Sequence, residues 1–162
     1  MTVPGGMFSG APLLVGLDMG STNVKAVVYE PDGRTVAHAS VPTTTHYPRP
    51  TWAYYDPHEL WHQAVQVLRE ATAQIDDPRR IVGIAVTSVG EAGVPIDKDG
   101  EPTYDAIAWF DRRTIPQRDR LEREIGEDAI FARSGLSLMH IYSLCKLMWL
   151  KENEPDVWAR SV

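Results

Sequence analysis

The 162-residue chain predicts an α/β fold, a mixed, twisted sheet flanked by helices. Three observations carry that prediction. Three short strands separated by turn residues open the chain, a helix with a strong N-terminal signature follows, and a continuous apolar strand comes directly after that helix. Strands, then helix, strand and more helices is the order of an α/β domain rather than of a helical bundle or an all-β sandwich.

The first strand, Leu13–Leu17, is apolar and runs into Asp18, Gly20, Ser21 and Thr22. A second apolar run, Val24–Tyr29, follows at once; Pro31-Asp32-Gly33 supplies turn chemistry, and Thr35–Val41 is the third strand. Residues 42–55 form a loop carrying Trp52, Tyr54 and Tyr55. Asp56-Pro57-His58-Glu59 then starts a helix, with Asp as N-cap, Pro in the first turn and Glu as capping-box partner. Leu60, Ala64, Leu68, Ala71 and Ile75 lie along one side of it at helical spacing, so the helix is expected over Pro57–Ile75 and is stopped by Asp76-Asp77-Pro78. Ile81–Thr87 reads as a strand buried on both faces, because its apolar run does not alternate. Val94–Ile96 resumes the apolar pattern briefly and Asp97-Lys98-Asp99-Gly100 is a turn. Ala106–Phe110 is short and apolar, a charged helical stretch runs from Pro116 to about Ser134 with a break near Gly126, and a last helix covers Ser143 to about Asn153, ended by Pro155. Trp149 and Leu147 are expected in its core face, with Lys146 snorkelling beside them.

Composition narrows the function classes. Sixteen basic against 22 acidic residues give a net charge of −6, which argues against non-specific nucleic-acid binding. Cys145 is the only cysteine, so one chain can build neither a disulfide framework nor a thiolate metal site, as suits a cytoplasmic protein. Residues 1–12 lack a basic segment followed by an apolar run; they read as a flexible lead-in rather than a signal peptide. No stretch has the length of a membrane span.

The first hairpin gathers the parts needed to hold phosphates and a divalent cation. Asp18 is acceptor-only and can take a Mg²⁺-bound water. Gly20 has no Cβ, so backbone can approach a phosphate, and Ser21 and Thr22 can donate to it. A Walker A loop is excluded, since no Gly-Lys-Ser/Thr follows. A rival pattern sits at the start of the helix: His58-Glu59-x-x-His62 satisfies the zinc-peptidase spacing. The capping geometry accounts for Glu59 without a metal, and the extended peptidase pattern fails at Val65.

Three further segments appear in order after the Asp18 hairpin: Ile84–Gly93 (I-A-V-T-S-V-G-E-A-G), Ala106–Thr114 (A-I-A-W-F-D-R-R-T) and Ser143–Leu150 (S-L-C-K-L-M-W-L). Together, from Leu13 onward, they resemble the N-terminal half of the FGGY family of carbohydrate kinases, whose members include xylulokinase, gluconokinase and glycerol kinase. Trp52 followed by Asp56-Pro57 resembles the family's segment before its first helix. The resemblance implies a ribonuclease-H-like (actin-like ATPase) domain over residues 13–162, part of a two-domain kinase in which sugar and ATP meet in a cleft. It implies Mg²⁺-dependent transfer of the ATP γ-phosphoryl to a sugar, sugar acid or polyol. Carried over by position, Asp18 lies at the metal and phosphates, Gly20, Ser21 and Thr22 in the phosphate loop, and Lys25 near the phosphates. Glu91, Trp109 and Asp111 lie beside the sugar. The resemblance places the catalytic Asp, a general base, beyond Val162, so that the chain alone is expected to be inactive, with an exposed surface that favours self-association. A non-catalytic actin-like or Hsp70-like binding module remains the other reading, and the Trp109–Thr114 motif favours the sugar kinases over it. Gly90, where glycerol kinases carry Arg, Val89–Ala92 in place of the xylulokinase Gln-Met-His-Gly-like stretch, and Ile141 in the last signature leave the sugar unassigned.

Overall fold

Alternation of apolar and polar residues in the opening strands lets one face pack while the other stays open, and the computed structural model, which describes residues 10–162, arranges them that way. The strands are β1 (Leu13–Met19), β2 (Asn23–Tyr29) and β3 (Thr35–Pro42), each a residue or two longer than the apolar runs suggested. The expected lead-in over residues 1–12 falls outside the described residues as far as residue 9. A two-residue strand, β4 (Tyr54–Tyr55), lies in what was expected to be a loop. Helix α1 (Pro57–Thr72) is followed by a 3₁₀ turn at Pro78–Arg80 and by β5 (Ile81–Ser88). Next come β6 (Ala106–Ile107), α2 (Ile115–Glu124), α3 (Glu127–Ser134), α4 (Ser143–Asn153) and α5 (Pro155–Arg160).

The chain divides into two compact units. The first holds residues 10–44 and His58–Val89 and contains a four-stranded sheet in the order β3-β2-β1-β5. β1 is antiparallel to β2 and parallel to β5, so the sheet is mixed. Leu13, Val15, Leu17, Val24, Ala26, Val28, Ala37 and Ala39 form its inner face, and α1 covers them with Ala64, Val67, Ala71 and, past the helix end, Ile75. The helix closes at Thr72 rather than Ile75 because the last turn tightens: Gln74 and Ile75 donate three residues back, to Ala71 and Thr72. Ile75 still reaches the core.

β5 corrects an expectation. Its apolar run suggested burial on both faces, yet it is an edge strand, with Ile84 55% and Val86 62% exposed. Ile84 and Val86 are in register with Val15 and Leu17, so they share the face that α1 covers over the three other strands. The helix packs over β1–β3, and among the described residues nothing pairs with the outer edge of β5.

The second unit, Thr45–Pro57 and Gly90–Val162, is built around the β4-β6 pair and helices α2–α5. Gly126 and Gly135, both at positive φ, bound α3. Val94–Ile96 is no strand; Ile96 forms only an isolated bridge with Pro102. Pro155 does not end the helical region as expected but opens α5, in the first-turn position where its missing N–H costs nothing. Trp149 is buried as expected, whereas Leu147 is half exposed.

Leu13→Ala should lower the unfolding free energy by about 2–5 kcal/mol, because Leu13 is fully enclosed. Ile84→Ala should cost less than about 1 kcal/mol. Urea denaturation of both variants checks the contrast; equal losses would mean that β5 is covered in solution.

Candidate functional site

In the first unit the register of the sheet, rather than any single loop, assembles the polar end. Asp18 pairs with Lys25 across β1-β2 and with Thr87 across β1-β5, so the three share one face. They line an open groove of ≈ 350 Å³ with Gly16, Val27, Tyr29 and Ala85. At the hairpin tip the Gly20 N–H donates to Asn23 O at 3.0 Å. A Cβ on residue 20 would sit 3.0 Å from that oxygen and 3.6 and 3.7 Å from the Asp18 carboxylate oxygens, so the turn accepts only glycine without shifting. Ser21, Thr22 and Lys25 are exposed. Sequence reading missed Thr43, which pins this tip: its hydroxyl donates to Gly20 O at 2.7 Å and its N–H to Thr22 O at 3.0 Å. The only signal was the hydroxyl-rich run Thr43-Thr44-Thr45 after β3.

These residues fit a metal–polyphosphate. Asp18 is a hard oxygen donor beside a glycine turn, hydroxyls and a lysine. Among the described residues no group of three or more His, Cys, Asp or Glu could hold a metal, and none forms around His58 and His62 in the first turns of α1. A cation at Asp18 would therefore take most of its ligands from water and phosphate, as Mg²⁺ does.

In the second unit Glu91 is held in an unusual way. It is a non-glycine residue at φ 57°, a conformation that costs about 1–3 kcal/mol and clusters at functional sites. Its Oε2 accepts from the Ser143 N–H at 2.6 Å and the Ser143 hydroxyl at 2.7 Å, placing the carboxylate at the N-terminus of α4. Lys146, one turn further on, donates from Nζ to the Glu91 carbonyl and, at 3.0 Å, to the Ile107 carbonyl. Lys146 is buried, not snorkelling. Burial pushes its pKa down to about 8, against the upward pull of the Glu91 and Asp111 charges.

Asp111, expected beside the sugar, lies inside the second unit. It is fully buried and both oxygens are engaged. Oδ2 accepts from the Ala53 N–H and from Arg113 Nη2 at 2.9 Å; Oδ1 accepts from the Arg113 N–H at 2.7 Å and Nε at 3.0 Å. The Arg113 guanidinium lies 4.0 Å from the Trp52 ring centre and 5.0 Å from that of Trp149. Trp109, by contrast, is 41% exposed and makes an edge contact with Phe110, which in turn leans on Tyr47. An aromatic face open to solvent suits the CH surface of a sugar.

Comparison with known proteins bears on the family and the fold. The model of the FGGY family of carbohydrate kinases, N-terminal domain, matches residues 13–161. Glycerol kinase from Thermococcus gammatolerans is 32% identical over 145 residues, covering 89% of this chain and 29% of that protein. Glycerol kinase from Natranaerobius thermophilus is 36% identical over 143 residues, covering 86% and 28%. Among solved structures, xylulose kinase from Rhodospirillum rubrum superposes with a TM-score of 0.87 at 32% identity, over 92% of this chain and 31% of that one. Gluconate kinase from Lactobacillus acidophilus gives 0.86 at 22% identity, over 94% and 30%, a likeness of fold. The chain thus spans about 30% of the length of the relatives it matches.

Removing one partner of a buried ion pair strands the other, so Asp111→Ala should destabilise by about 3–5 kcal/mol, read by chemical denaturation; a loss below about 1 kcal/mol would mean that the pair is solvated. The lowered pKa of Lys146 has its own consequence. Between about 8 and its ordinary 10.5 the unfolded chain holds a proton that the folded chain has lost, so this residue's contribution to stability rises with pH across that window. Lys146→Met should flatten the rise in denaturation midpoint between pH 8 and 9.5 relative to wild type; parallel profiles would contradict the shift.

Proposed function

This chain belongs to the FGGY family of carbohydrate kinases, and we propose that it supplies the phosphate-loop and acceptor-contact part of a cytoplasmic, ATP- and Mg²⁺-dependent kinase. The acceptor is a hydroxyl of a sugar, sugar acid or polyol. The observation that carries the reading is Glu91: within the matched family segment, a carboxylate on a strained backbone is anchored by one oxygen to α4, leaving Oε1 to accept from a ligand hydroxyl.

Each residue then has a separate task. Gly20 lets the backbone of the hairpin tip reach phosphate oxygens, Ser21 and Thr22 donate to them, and Lys25 sets a positive charge nearby. Asp18 would hold Mg²⁺, which when bound would offset charge on the phosphates. Trp109 packs its indole against the acceptor's CH face. Asp111 serves from behind: it fixes the segment that carries Trp109 and makes no sugar contact of its own. No general base is assigned within residues 13–162, so this portion by itself is proposed not to complete the transfer. Nucleic acid and membrane are not among the proposed partners; no helix among the described residues is long and apolar enough to cross a membrane. The exposed Val82, Ile84 and Val86 of β5 give self-association a surface.

Glycerol, xylulose and gluconate, the acceptors in the relatives' names, form the test panel. In a form of the protein that phosphorylates one of them, Asp18→Asn should lower kcat on the order of 100-fold with little change in acceptor binding. Glu91→Gln should raise the acceptor KM about 10-fold or more. Equal kcat losses with unchanged KM would refute this division of roles. Residues 1–162 alone should show no acceptor-dependent ADP release, and robust release that Asp18→Asn abolishes would show that the base lies within them.

A further inference from the structure

Lys146 is a buried cation, paired with no carboxylate among the described contacts, that the proposed transfer does not use. Its position is specific: Nζ bridges two carbonyls, Glu91 O on the loop after β5 and Ile107 O at the end of β6, while its backbone belongs to the first turn of α4. The same turn binds Glu91 a second time, through Ser143 to the carboxylate. Glu91 is thus gripped at its main chain and at its side chain by residues three apart on one helix, and it is the residue whose φ is 57°. A lone carbonyl-to-ammonium bond on a relaxed loop would fill space. A double grip on a strained residue fixes where its carboxylate points.

We infer that Lys146 is a positioning residue for the acceptor site, holding Glu91 in its left-handed conformation so that Oε1 stays aimed at the acceptor hydroxyl. The inference rests on the proposed acceptor role of Glu91, and it adds to it the means by which that carboxylate is kept in place. The charges around Lys146 are Glu91 on the loop, Asp111 and Arg113 after β6, and the thiol of Cys145 on its own helix. Lys146 also borders a mostly apolar pocket of ≈ 450 Å³, lined among others by Val94, Asp105, Ile107, Leu147 and Trp158. Without the bridge, the Glu91 carbonyl loses its donor and the residue is free to relax to negative φ, carrying the carboxylate away.

The test uses Lys146→Met, Lys146→Arg and Glu91→Gln in the full chain. Amide hydrogen exchange is followed at Glu91–Gly93 and in β1–β3, and dissociation constants are measured for the glycerol, xylulose and gluconate panel. Lys146→Met is expected to speed exchange at Glu91–Gly93 at least 10-fold with β1–β3 unchanged. It should also weaken acceptor binding as much as Glu91→Gln does, and Lys146→Arg, which keeps charge and donors, should recover part of both. If Lys146→Met does not fold, Lys146→Gln carries the same readouts. Unchanged exchange at Glu91–Gly93 in a folded variant overturns the inference. So does faster exchange with undiminished acceptor binding where Glu91→Gln binds less. If Glu91→Gln and wild type bind the panel alike, it is the acceptor role of Glu91 that fails, while the exchange data still report whether Lys146 holds the loop.

Discussion

Asp111 and Arg113 put opposite charges where water barely reaches, with the two side chains 0% and 3% exposed, and the surrounding elements of the second unit are arranged to satisfy them. Desolvating such a pair costs several kcal/mol per ion, and attraction repays it only with complete hydrogen bonding. The structure supplies that completion. The guanidinium meets the carboxylate through Nε and Nη2, the Ala53 N–H caps one oxygen, and Trp52 and Trp149 lay their rings against the cation. These partners come from two other stretches of chain. Ala53 and Trp52 belong to the segment leading into β4, and Trp149 to α4. Backbone bonds from Ala108 to Ala53 O and from Arg112 to Thr51 O run alongside the clamp and extend the β4-β6 pairing past its two formal residues.

The two candidate sites rest on different physics. At the Asp18 end the arrangement follows from strand register and a turn too tight for a Cβ; its polar groups stay wet, and Thr43 secures the tip with neutral bonds. At the Glu91 end a buried ammonium, a strained residue and a helix N-terminus hold each other. Solvated groups on a rigid sheet can accommodate a ligand that carries its own charges and water, as a metal–polyphosphate does. An uncharged polyhydroxyl ligand is recognised instead by the direction of individual acceptors, which requires that the acceptor not turn. The contrast between a solvated, register-built end and a clamped end is in keeping with the proposed division of roles between phosphates and acceptor.

Legibility in the sequence divides along the same line. The strands β1–β3, the start of α1 and the polar content of the Asp18 hairpin are local properties, set by alternation, turn residues and capping, and they were readable. The family and its fold were readable from ordered motifs. What escaped is what depends on partners distant in the chain. The apolar run of β5 says that its side chains avoid water, not how far α1 extends, so Ile84 and Val86 proved exposed. Pro155 looks the same whether it stops one helix or starts another. Lys146 among Leu144, Leu147 and Leu150 gives no hint that two carbonyls wait for it from residues 91 and 107. Positive φ at Glu91 is invisible in composition, since glycines stand beside it at 90 and 93 and would have been the expected carriers.

Within the recognised motif Asp111 is enclosed while Trp109 is open to solvent. From Ala108 to Arg113 the backbone turns, the Asp111 N–H donating to Ala108 O at 3.1 Å, and leaves Trp109 and Arg112 outward with Asp111 and Arg113 inward. Asp111 and Arg113 are both buried and pair with each other, while Trp109 lies exposed with its edge contact to Phe110, which leans on Tyr47. One short run thus carries two constraints, a buried charge pair that fixes the backbone and an aromatic surface whose placement depends on that backbone. Read as a string, both residues look like parts of a binding motif. Read with the burial, one makes the surface and the other makes it stay where it is.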